Sequence, residues 1–117
     1  MATYTPVILS GSTVGRPVQV NATTSPGTTI HTVSTATGTI EDIFLDAFNS
    51  YTSDQLLTIE LGSTATTSHL YASIPAQGGP YRICAGLRLN GATGVVVSAF
   101  ATATGRIVIA GGVNRSA

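Results

Sequence analysis

The chain contains no lysine, no tryptophan and one cysteine, and it carries only five acidic and five basic residues among 117. Charged side chains make up 9% of it, against about a quarter in an ordinary soluble domain. Its formal net charge is zero, so it lacks the mutual repulsion that keeps free domains dispersed. Five scattered arginines without lysine form no basic stripe, which argues against a nucleic-acid partner. The lone Cys84 excludes an internal disulfide framework, and its place in the apolar-rich run 81–85 marks it as a buried structural thiol. No apolar run approaches the roughly 20 residues of a membrane-spanning helix. Residues 1–20 lack the basic and apolar regions of a secretory leader. The expectation is a protein made in a cytoplasm, with no membrane partner.

What the chain does have is hydroxyl groups and small apolar side chains. Thr and Ser supply 30 residues, and 43% of the sequence is hydrophobic. A surface built from Thr, Ser, Gly and Ala hydrogen-bonds well and repels nothing. Such a surface suits a chain that packs against copies of itself or against a larger shell. The length fits one domain, for which scaling gives roughly 6,000 Å² of folded surface against about 17,000 Å² unfolded.

Helical periodicity is scarce. Residues 40–49 begin with Glu41-Asp42, which would suit a helix N-terminus. Yet Ile43, Leu45 and Ala47 alternate with Phe44, Asp46 and Phe48, and the run reads as a strand buried on both faces. Further strands are expected at 5–10, 16–21, 28–34, 56–61, 69–74, 81–89, 95–101 and 106–110. Turn chemistry separates them, including Ser25-Pro26-Gly27, the segment 77–80, Asn90-Gly91 as the strongest hairpin signal, and Gly111-Gly112. Eight or nine short strands without helical crossovers predict an all-β, antiparallel, jelly-roll-like sandwich forming a single domain. The polar, Thr-rich residues 1–40 are expected as edge strands or an arm, with Ala2 to Val20 lying across a neighbour, and residues 41–117 as the main sandwich. Expected core residues are Ile43, Leu45, Leu57, Ile59, Ile83, Val96, Ile107 and Ile109.

The few charges are segregated. All five acids, Glu41, Asp42, Asp46, Asp54 and Glu60, fall in one 20-residue window, and all five arginines, Arg16, Arg82, Arg88, Arg106 and Arg115, fall outside it. Chance in a sparsely charged chain is one reading. The other is complementarity between copies, where few charges can fix register. On that reading the candidate interface residues are the five acids with Arg16, Arg88, Arg106 and Arg115, while Arg82 serves within the sheet.

Chemistry-bearing patterns are missing. His31 and His69 stand in separate strands without Cys or His at metal-ligand spacing, and both read as partly exposed polar residues. No Gly-x-Ser-x-Gly marks a nucleophile. Asp42, Asp46 and Asp54 do not follow a calcium loop, and Gly78-Gly79 and Gly111-Gly112 lack phosphate-loop spacing. No cofactor, metal or catalytic residue is indicated.

In order along the chain, Ile8-Leu9-Ser10-Gly11, Arg16-Pro17-Val18, Pro26-Gly27-Thr28, Asp42-Ile43-Phe44-Leu45, Leu57-Thr58-Ile59-Glu60-Leu61, Ile74-Pro75-Ala76, Gly86-Leu87-Arg88-Leu89, Ser98-Ala99-Phe100-Ala101 and Gly112-Val113-Asn114-Arg115 together resemble small β-rich virion proteins of tailed bacteriophages. The resemblance implies a non-enzymatic structural protein of the particle. With the low charge, it points first to a capsid decoration or cement protein, whose partners are copies of itself, a trimer being favoured, and the major capsid protein or neighbouring virion proteins. A neck or tail adaptor, a ring component or a fibre base is the alternative, and a glycan-directed host-binding module is a third class.

Overall fold

A computed structural model describes residues 4–77 and 79–116. Gly78, within the expected turn at 77–80, and Ala2, at the start of the expected arm, lie outside them. Among the described residues nine strands follow one another: β1 (Tyr4–Ile8), β2 (Val18–Val20), β3 (Thr28–Thr32), β4 (Ile40–Asn49), β5 (Gln55–Leu61), β6 (His69–Ile74), β7 (Tyr81–Asn90), β8 (Val96–Ala101) and β9 (Ile107–Ser116). A 3-10 turn, Thr66–Ser68, precedes β6.

The strands form two antiparallel sheets. Sheet A runs β1-β9-β4-β7, with β2 also on β9, and sheet B runs β3-β8-β5-β6. The pairing has a simple order. Tyr4 lies opposite Ser116, Val18 opposite Ile109, Thr28 opposite Ala99, Ile40 opposite Asn90 and Gln55 opposite Ile74. The chain is therefore one long hairpin bent at the β5–β6 connection, and the pairs β4·β9 and β5·β8 roll that hairpin into two layers. Its accessible surface is 6053 Å², matching the value expected from mass alone.

Alternation decides which side chains meet between the layers. In β4, Ile43, Leu45 and Ala47 point inward with Glu41 and Asn49, while Phe44, Asp46 and Phe48 are half-buried outside. Ile43, Leu45, Leu57, Ile59, Ile107 and Ile109 are buried as expected. Ile83 and Val96 are only half-buried, and Cys84 and Val97 take the inward places. For Ile83 the reason is a bulge: Leu45 pairs with Cys84 and Asp46 with Arg82, which leaves Ile83 unpaired and shifts the alternation.

Three further expectations are corrected. Residues 4–40 do not stand apart from the main core, because Leu9, Val18, Val20, Ile30 and Val33 are all buried in it. Asn90-Gly91 closes no hairpin; β7 and β8 belong to different sheets, and Gly91 passes so close to Ala36 that a Cβ would lie 2.2 Å from its carbonyl oxygen. Gly111-Gly112 is not a turn but the middle of β9. A Cβ on Gly111 would lie 2.0 Å from the Phe44 carbonyl oxygen, so glycine is what lets β9 continue past β4.

Candidate functional site

The charges segregated along the sequence adjoin in space, because β4 carries three acids and sits between β7 and β9. Asp42 lies opposite Arg88, and Arg88 Nε donates to it at 2.8 Å; Asp46 pairs with Arg82 at 2.6 Å. Glu41 lies opposite Arg115, whose Nε donates to Oε2 at 2.7 Å. For these acids the complementarity expected between copies is met within one chain. Asp54 accepts the Ala76 amide at 2.9 Å. The Arg106 guanidinium stacks 3.8 Å above the Tyr51 ring, and Arg16 is exposed in the β1–β2 connection.

Glu41 is fully buried between the layers. It accepts three hydrogen bonds: from His31 Nε2 at 2.6 Å, from the Ser34 amide at 2.9 Å and from Arg115. His31 is not partly exposed but 1% accessible. Its Nδ1 accepts the Ser10 amide at 3.1 Å, which fixes Nε2 as the protonated nitrogen. Both ring nitrogens are thus engaged in joining the β1–β2 connection, β3 and β4. Burial raises the Glu41 pKa, but donors from His31, Ser34 and Arg115 outweigh it and hold the carboxyl below its ordinary value.

A second buried acid lies under the outer face of sheet B. Glu60 Oε1 accepts the Gly27 amide and the Ser98 hydroxyl, both at 2.8 Å, and Oε2 accepts the Ser25 hydroxyl at 2.6 Å. His69 Nε2 lies 3.4 Å from Oε2. Here too burial raises the pKa, and the hydrogen bonds from Ser25, Gly27, Ser98 and His69 bring it below the ordinary value. Above Ser98 and Gly27 opens a cleft of about 440 Å³ with Thr29, Ser63, Thr64 and Val96 on its walls. His69 is more enclosed than expected: the residue is half-buried, but its side chain is only 7% accessible, with its ring edge-on to Tyr71 and Phe100. Cys84 is buried, and burial pushes its thiol up to about 11.

The two outer faces differ. Sheet A carries the Arg82 and Arg88 pairs, whereas the strands of sheet B contain no Arg, Asp or Lys, and their one Glu is fully buried. What sheet B offers outward is Tyr71, 60% exposed, Leu56, 51% exposed, half-buried Phe100, and threonine hydroxyls. Sequence reasoning missed this face because its acid reads as exposed. No local signal marks its burial, because the Ser25, Gly27, Ser98 and His69 groups around Glu60 come from elements distant in sequence.

Comparison with protein-family models, curated proteins and solved structures finds no match to this chain.

Proposed function

We propose that this chain is a non-enzymatic structural protein of a tailed-bacteriophage particle, acting as a decoration or cement protein on the head. The observation that carries the reading is the strand order. A hairpin rolled so that β1 pairs with β9, β3 with β8, β4 with β7 and β5 with β6 supports reading the two sheets as a jelly roll, an architecture used in viral capsids, lectins and cupins. Here the interior is filled by Leu, Ile and Val side chains and by the Glu41 cluster, so the domain acts through its surface. That surface is nearly uncharged and rich in hydroxyls, with exposed Tyr4, Ile8, Leu56, Tyr71 and Leu87. Burying such groups across seams between shell subunits opposes the outward pressure of packaged DNA without needing any chemistry.

Copy number in purified particles tests the reading. A band as abundant as the shell protein supports decoration, and a trace amounting to one ring places the domain at the neck or tail. A second reading is favoured by one feature. The cleft above Ser98 and Gly27, with Thr29, Ser63 and Thr64 on its walls, suits a neutral sugar, and a glycan array without hits removes it.

A further inference from the structure

A β-sandwich has open sheet edges, and each presents unpaired N–H and C=O groups on which another chain can build. Among the described residues there are four, and three are blocked. The β1/β2 edge consists of strands of five and three residues, with Pro6 in the middle of the longer one and no N–H to offer there. The β7 edge is ten residues long but carries Arg82 and Arg88. It is also broken by two bulges, at Ile83 and at Gly86, which lies at φ +84°. The β3 edge is bulged between Thr29 and His31. Residues of the β1–β2 connection also cover it: the Gly11 amide donates to the Ile30 carbonyl at 2.9 Å, and the Thr32 amide to the Ser10 hydroxyl at 2.6 Å.

The fourth edge, β6, has none of these devices. His69–Ile74 pairs with β5 in uninterrupted register, without Pro, Gly or any acidic or arginine residue. Its ends are satisfied, since the His69 amide donates to the Thr66 carbonyl and the Ile74 carbonyl accepts Asn49 Nδ2 at 3.0 Å. Between them, among the described residues, nothing outside β5 hydrogen-bonds the backbone of Leu70, Tyr71, Ala72 or Ser73. Leu70 and Ala72 are half-buried at the open margin of the core, and Tyr71 stands beside them on the outer face.

We propose that β6 pairs antiparallel with β6 of a second copy, joining two four-stranded sheets into one. The occupant follows from the chain's own edges. A second β7 would bring a strand whose ladder is interrupted at Ile83 and Gly86, with long arginine side chains already held by Asp42 and Asp46. A second β1 would place Pro6 where a donor is needed. A second β6 brings only an uncharged, regular strand, and about a twofold axis perpendicular to the sheet its outer residues adjoin outer residues. Such an edge pair closes in twos, so a threefold assembly has to use another surface. The proposal does not rest on the particle assignment.

Light-scattering mass of the full chain against concentration is the test. The wild type should rise from 11.9 kDa toward twice that mass. Ser73 is exposed, so Ser73→Lys sets like charges across the twofold without touching the core, and it should weaken dimerisation at least about tenfold. Ala85→Lys, on the exposed side of β7, should leave the dimer unchanged. Circular dichroism checks that both variants keep the fold, and amide exchange at Leu70 to Ser73 should slow as the dimer forms. A wild type still monomeric at about 1 mM, a threefold mass, or a dimer indifferent to Ser73→Lys overturns the proposal.

Discussion

Glu41 shows how much one inward-facing acid can organise. Placing it in phase with Ile43 and Leu45 forces a carboxylate into the core, where an unpaired charge would cost several kcal/mol. Its three donors come from β3, the loop after it, and β9, so satisfying the charge also ties sheet A to sheet B. Glu41→Ala leaves Arg115, His31 and the Ser34 amide without their acceptor and should cost about 3–5 kcal/mol in urea unfolding at neutral pH. The pH dependence has a definite sign. Glu41 and Glu60 both have folded pKa values below the ordinary 4.5. Their contribution is therefore complete above that value and is lost as pH falls through the lower folded values. Thermal unfolding of the wild type should drop below about pH 4.5, and the gap to Glu41→Ala should narrow there. A gap that stays constant to pH 2.5 would contradict the assigned pairs. Cys84 gives a second check at this scale. Its buried thiol, raised to about 11, should resist a thiol reagent at pH 8 and react fully only after unfolding.

Among the elements, the N-terminal strands divide into a dispensable and an indispensable part. β1 is almost wholly exposed and adds a ladder to β9, whereas Leu9, Val18 and Val20 are core residues and the Ser10 amide holds His31. Deleting residues 2–8 should leave a cooperative unfolding transition with a modest fall in midpoint, and deleting 2–20 should abolish it. Equal behaviour of the two truncations would show that the core does not extend into β2. These strands also mark the limits of what the sequence discloses. Period-two alternation and Gly, Pro and Asn turns located all nine strands, because those signals are local. Partners are not local. Asn90-Gly91 carries hairpin chemistry but sits where the chain changes sheets, and Gly111-Gly112 carries turn chemistry but meets the Phe44 backbone inside a strand. Val18, Val20 and Ile30 lie among threonines, so their segment reads as peripheral until β8 and β9 are placed against it. The acids and arginines were visible as separate groups, yet only the β7-β4-β9 order reveals that three of each neutralise each other.

For the whole molecule, the consequence of that neutralisation is that few charges remain free. Three arginines are spent on acids of the same chain, the two remaining acids are occupied by a backbone amide and a buried cluster, and sheet B turns an uncharged face outward. A domain of this kind gains by being covered, which is the central claim of the structural-protein reading. The most direct measurement is an electron-microscopy map of purified phage particles whose genome encodes the chain, compared with particles from which its coding sequence is deleted. The account predicts difference density of the size of this 47 × 25 × 21 Å domain repeated across the head surface, with deleted particles losing DNA at lower temperature. Identical maps, and particles equally stable with and without the chain, would contradict it.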